Sequence, residues 1–103
     1  MYKRQGWIIN IASWAGKDTS AGHATYTASK WGLRGWSESL GQELKPHGIR
    51  VAAIYPGSVN TAMQDNVPGA LEPEDIAQCT VFLITLPERA YVDDITIVPS
   101  EYY

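Results

Sequence analysis

Three side chains in the first third of the chain have the types needed to move one proton: Ser13, Tyr26 and Lys30. Tyr26 and Lys30 stand four residues apart in "YTASK", which places a phenol and an ammonium one turn apart on a single helix face. A free phenol titrates at about pH 10, too high for ready proton exchange near neutrality, and a neighbouring ammonium stabilises the phenolate. The same spacing also suits a phenol packed along a lysine stem on a helix surface. The elements that carry the pair separate the two readings.

"GWIINIAS", Gly6 to Ser13, is apolar and β-branched, and reads as a strand buried on both faces. A Gly/Ser/Thr/Ala-rich loop, Ala15 to Thr25, leads to a helical pattern from about Tyr26 to Leu44. There Leu33, Trp36, Leu40 and Leu44 recur at helical steps, and Pro46-His47-Gly48 stops the helix. "IRVAAIYPG" gives a second strand, Ile49 to Tyr55, ended by Pro56-Gly57. After an irregular connection, residues 58–71, Pro73 and its acidic neighbours open a second helix, which Pro87 closes. Ile76, Ala77, Thr80, Val81 and Ile84 form its expected inward face, and a third strand lies around Ile95 to Val98. Alternating strands and helices predict an α/β layer on a parallel sheet. Ser13 then ends the first strand, Tyr26 opens the next helix and Pro56-Gly57 ends the second strand. All three fall at the carboxyl edge of the sheet, where open α/β sheets bind ligands.

The stretches "GWIINIASWAG", "YTASKWGLRGWSESLGQEL" and "GIRVAAIYPGSVNTAM" together resemble the short-chain dehydrogenase/reductases, in which a serine 13 positions before the tyrosine is usual. "PEDIAQCTVFLITLPERAYVDDITIVPS" is similar to the closing helix and strand of one subgroup. The resemblance implies a partial Rossmann-type layer of three parallel strands and two helices (β-α-β-α-β). It also implies NAD(P)-dependent interconversion of a small carbonyl compound and an alcohol. Tyr26 is implied as the general acid or base, with Lys30 stabilising the phenolate and bonding the nicotinamide ribose. Ser13 is implied to hold the substrate oxygen. Pro56, Gly57, Val59 and Thr61 match the segment that lines the nicotinamide of NAD or NADP, although Thr61 alone reads equally well as a turn hydroxyl. The family also implies a homo-oligomer, with the helix at 26–44 in a dimer interface and Trp31 and Trp36 in core or interface packing.

The departure from the family is large. No glycine-rich phosphate turn follows a strand, and Gly32-Leu33-Arg34-Gly35 lies inside a helix. The segments that carry the family's Asn-Asn-Ala-Gly stretch and its catalytic asparagine have no counterpart. The chain corresponds to the C-terminal half only, so residues 1–103 are expected to form one incomplete domain lacking the N-terminal dinucleotide-binding half. Weak or absent cofactor binding is expected, and with it an impaired or inactive isolated chain. The alternative is an inactive truncated remnant serving as an oligomeric or partner-binding module. In the full fold the first strand is interior. Here its open edge predicts self-association or strand exchange.

Composition removes other classes. With 45% hydrophobic and 18% charged residues among 103, the chain has the makeup of a globular protein. A net charge of −3 without a basic cluster predicts no nucleic-acid partner. No apolar run reaches spanning length and the start lacks a signal-peptide core, so no membrane partner and a cytoplasmic location are expected. Cys79 is the single cysteine, and His23 and His47 have no partner at ligand spacing, so no metal site is predicted.

Overall fold

A computed structural model describes residues 6–14, 21–60 and 68–102. The elements are β1 (Gly6–Ile11), α1 (Ala24–Leu44), β2 (Ile49–Pro56), α2 (Pro73–Ile84) and β3 (Asp94–Ile97), with short 3₁₀ turns at Lys45–His47 and Ser100–Tyr102. The strands form one parallel sheet in the order β1-β2-β3, with Gly6 opposite Ile49 and Ala53 opposite Asp94. The predicted order of elements is the observed one. β1 stops at Ile11, two residues short of Ser13, α1 begins at Ala24, and β3 is shifted back by one residue.

Local chemistry sets the boundaries. Gly48 terminates the turn after α1 at φ 73°, a left-handed conformation that a side chain disfavours. At the start of α2, the Glu72 side chain accepts from the backbone at Asp75 while the Asp75 carboxylate accepts from the Glu72 N–H, and Pro73 takes the first turn.

The central strand is the core. Val51 to Tyr55 are all buried, and Ala52 and Ile54 are completely so. Their alternation divides the sheet into two faces. On one face α1 lies close to β2, because Ser37 and Gly41 at the contact are small. There the Asn10 amide donates to the buried Ser37 hydroxyl at 2.7 Å. On the other face Ala52 and Ile54 meet Leu83 of α2, surrounded by Trp7, Ile9, Ile76, Cys79, Ile95 and Ile97. Successive strands advance in one direction while their two helices lie on opposite faces. The two crossovers therefore have opposite hands, and one of them departs from the usual right-handed rule.

Three expectations about packing are corrected. β1 is an edge strand with Ile8 and Ile11 exposed, not a strand buried on both faces, since β2 is its only neighbour among the described residues. Trp36 is exposed, because α1 turns Ser37 and Gly41 to the sheet and rotates the leucine stripe to the flank of the contact. The inward face of α2 is Ile76, Cys79 and Leu83, whereas Ala77, Val81 and Ile84 are exposed. Apolar residues occur almost all round α2, so its periodicity fits more than one orientation.

Candidate active site

Position in the fold, more than burial, defines this site. Ser13 lies two residues beyond β1, where the chain is still tied to the sheet by the Ala12 N–H donating to the Ile54 carbonyl at 2.7 Å. Tyr26 is the third residue of α1, on the turn that begins at the same carboxyl edge. The Tyr26 hydroxyl donates to Ser13 Oγ at 3.2 Å across the thirteen-residue separation. Lys30, one turn on, carries its ammonium 5.5 Å from the centre of the Tyr26 ring, a cation–π approach. The Ser29 hydroxyl donates to the Tyr26 carbonyl at 2.7 Å, which fixes the backbone under the phenol. Tyr26 is 48% exposed, so its hydroxyl faces a shallow, wet surface.

The loop after β2 arrives at the same edge. Pro56 ends the strand on the side where β1 has already stopped, so its missing N–H breaks no ladder bond. The Gly57 N–H donates to Ile97 at 2.8 Å. A Cβ on Gly57 would lie 3.1 Å from Pro99 Cδ and 3.3 Å from Val98 Cγ1, so the close approach of the C-terminal segment accounts for glycine here. Val59 pairs in a parallel bridge with the buried Leu71, and Asn60 is held from both sides. Its N–H donates to the Leu71 carbonyl at 2.8 Å and its side-chain amide to Glu72 at 3.2 Å. Residues 58–60 and 71–72 thus form an ordered return, where the sequence had suggested an irregular connection. Its signals were the isolated Leu71 and the Glu72–Asp75 capping pair. Thr61 lies outside the described residues.

Ser13, Tyr26 and Lys30 are therefore brought together, and Pro56, Gly57 and Val59 share their edge of the sheet. Among the described residues, two cavities lie away from the pair. One, of about 890 Å³, opens at the amino ends of the strands between Trp7, Arg50, Arg89 and Tyr91. The other, of about 470 Å³, runs along α1 beside Tyr55, Asp93 and Asp94. Among the described residues no cluster of three or more His, Cys, Asp or Glu could hold a metal ion, and no helix is long and apolar enough to cross a membrane.

As a donor set, hydroxyl, phenol and ammonium fit the nicotinamide and ribose end of a dinucleotide. The sequence has no glycine-rich turn to fit its pyrophosphate.

Comparison with known proteins identifies the family. The family described as short chain dehydrogenase matches residues 1–71. An uncharacterised oxidoreductase of Staphylococcus aureus is 34% identical over 98 residues, covering 91% of this chain and 42% of the relative. The solved β-ketoacyl-[ACP] reductase of Bacteroides thetaiotaomicron superposes with a TM-score of 0.78 at 32% identity, over 95% of this chain and 42% of that one. A metagenomic short-chain oxidoreductase in complex with NADP gives a TM-score of 0.71 at 37% identity, over 91% of this chain and 38% of its own. The chain thus spans less than half the length of these relatives.

Proposed function

The chain belongs to the short-chain dehydrogenase family, and on that premise we propose that it interconverts a small carbonyl compound and an alcohol with NAD or NADP. The observation that carries this reading is the 3.2 Å hydrogen bond between Tyr26 and Ser13 at the carboxyl edge of the sheet. Bound nicotinamide supplies or accepts the hydride. The rest is done by the chain's own side chains. Ser13 holds the substrate oxygen beside the phenol. Tyr26 gives that oxygen its proton during reduction and takes it back during oxidation. Lys30 supplies the positive charge that stabilises the phenolate left behind, and its ammonium is the donor for the ribose hydroxyls. Pro56, Gly57 and Val59 would line the nicotinamide, and Thr61, the fourth residue of the matching segment, lies outside the described residues. The NADP complex of the metagenomic relative supports the cofactor class.

A second reading is an inactive module acting through assembly, motivated by residues 1–103 holding no glycine-rich phosphate turn.

The test is turnover of a panel of aldehydes and ketones with NADH and with NADPH, alongside direct cofactor titration, for the wild type and Tyr26→Phe. The enzyme reading expects the variant to lose about 10²- to 10⁴-fold in turnover with its fold intact. Equal turnover by both proteins refutes the role of Tyr26. No turnover and no cofactor binding by the wild type leaves the module reading.

A further inference from the structure

We propose that Asn10 and Ser37 are positioning residues for the reaction, setting the distance between the Tyr26 phenol and Ser13 through the seat of α1 on β1. This rests on the oxidoreductase reading above and adds two residues to it. Ser37 is the one buried polar side chain among the described residues, and Asn10 is the only polar side chain of β1. Burial of apolar surface has no direction, so two apolar residues would serve packing alone. The Asn10 amide instead donates to Ser37 Oγ at 2.7 Å, a bond that holds only within a narrow range of distance and angle. It therefore fixes both the rotation of α1 and its position along its own axis.

The same face of the helix carries the reacting pair. At 3.6 residues per turn, Tyr26, Lys30 and Ser37 fall within about 40° of arc. Ser37 seats this stripe on β1, and Gly41, one turn further, rests on β2, where a Cβ would lie 3.7 Å from Val51 Cβ. Towards its N-terminus the stripe runs past the end of β1, so the Tyr26 hydroxyl reaches Ser13, three residues beyond Asn10. The Asn10–Ser37 bond is part-buried and the 3.2 Å Tyr26–Ser13 bond is exposed. The first sets the geometry and the second follows it. Tyr26 stands eleven residues, about 16 Å, from Ser37 along the axis, so a tilt of about 4° at Ser37 moves the phenol by about 1 Å. A displacement of that size costs about 100-fold in rate where the chemistry depends on alignment.

Asn10→Ala, Ser37→Ala and the double variant test this, with Leu83→Ala as the control. Turnover is measured with the carbonyl panel above, and NMR reads the nuclear Overhauser contact between the Tyr26 ring and the Ser13 β-protons. Each single variant is expected to lower kcat about 10- to 100-fold with KM unchanged, and to lose the contact. The double variant should be no slower than the slower single one, because the same bond is removed in all three. Leu83→Ala loosens the opposite face of the sheet and should melt lower than either single variant, yet keep both kcat and the contact. An equal loss of both in Leu83→Ala would reduce Asn10 and Ser37 to general packing and overturn the proposal. Full retention in the Asn10 and Ser37 variants, or a wild type without the contact, also overturns it. If the wild type turns nothing over, it is the oxidoreductase reading that fails, and the contact alone decides whether this bond places the phenol. Should one single variant fail to fold, the other decides, since both remove the same bond.

Discussion

Replacing Leu83 by alanine tests how α2 is seated more directly than any other change. Leu83 is completely buried and is the only buried residue of α2, packed against Ala52 and Ile54 of the central strand. Leucine-to-alanine changes in cores lose about 2–5 kcal/mol, the larger values where neighbours cannot collapse into the space. Ala52 has little side chain to move, and Ile54 is held in the middle of the sheet, so a loss of about 3 kcal/mol is expected. Domains of this size are stable by about 5–15 kcal/mol, so a large fraction disappears. At about 4–5 °C per kcal/mol, the melting temperature should fall by about 12–15 °C. Val81→Ala is the control. Val81 is 55% exposed, and its truncation should change stability by no more than about 0.5 kcal/mol. Urea unfolding followed by far-UV circular dichroism, with both variants at one protein concentration, measures the difference. Equal losses, or a larger loss for Val81→Ala, would refute the seating of α2 and restore the face that periodicity suggests.

Two other changes address features on the α1 face. The Tyr91 hydroxyl donates to the Val51 carbonyl at 2.8 Å and accepts from its N–H at 2.9 Å, acting as a strand partner where β3 has not yet begun. Tyr91→Phe should therefore lose about 2 kcal/mol and speed exchange of the Val51 amide, and an unchanged exchange rate would contradict this role. Burial, reinforced by the Asp94 carboxylate, raises the Tyr55 phenol above its ordinary value of 10.0. Because the folded value is the higher one, the stability this group contributes is fully present below about pH 10 and is lost as pH rises through the folded value. Wild type should accordingly lose stability relative to Tyr55→Phe above pH 10 in a denaturant series, and a gap that stays constant with pH would sink the assignment.

Much of the site was legible because its signals are local. Tyr26 and Lys30 meet through helical spacing alone, and Ser13 reaches Tyr26 because a strand end and a helix start are brought to one edge by a parallel crossover. The return of the loop at Val59 and Leu71 was not legible, because its partners are twelve residues apart and no periodicity links them. Gly57 was read as part of the cofactor lining. The structure adds a packing reason for it, the approach of Val98 and Pro99, which depends on where the chain ends up after β3.

By itself the sequence determined the type and order of the elements, the stop at Gly48 and the start at Pro73, and the types and spacing of Ser13, Tyr26 and Lys30. Each depends on interactions within a turn or two of the chain, or on side-chain chemistry alone. Tertiary structure decided which faces of α1 and α2 meet the sheet and the opposite hands of the two crossovers. Tyr91 beside Val51, forty residues away in the chain, is the same kind of fact. A helix apolar nearly all round can bury any of its faces, and a small-residue face can seat closer than a leucine stripe. Only the packed partner selects among them, because burial free energy belongs to the pair of surfaces and not to either segment.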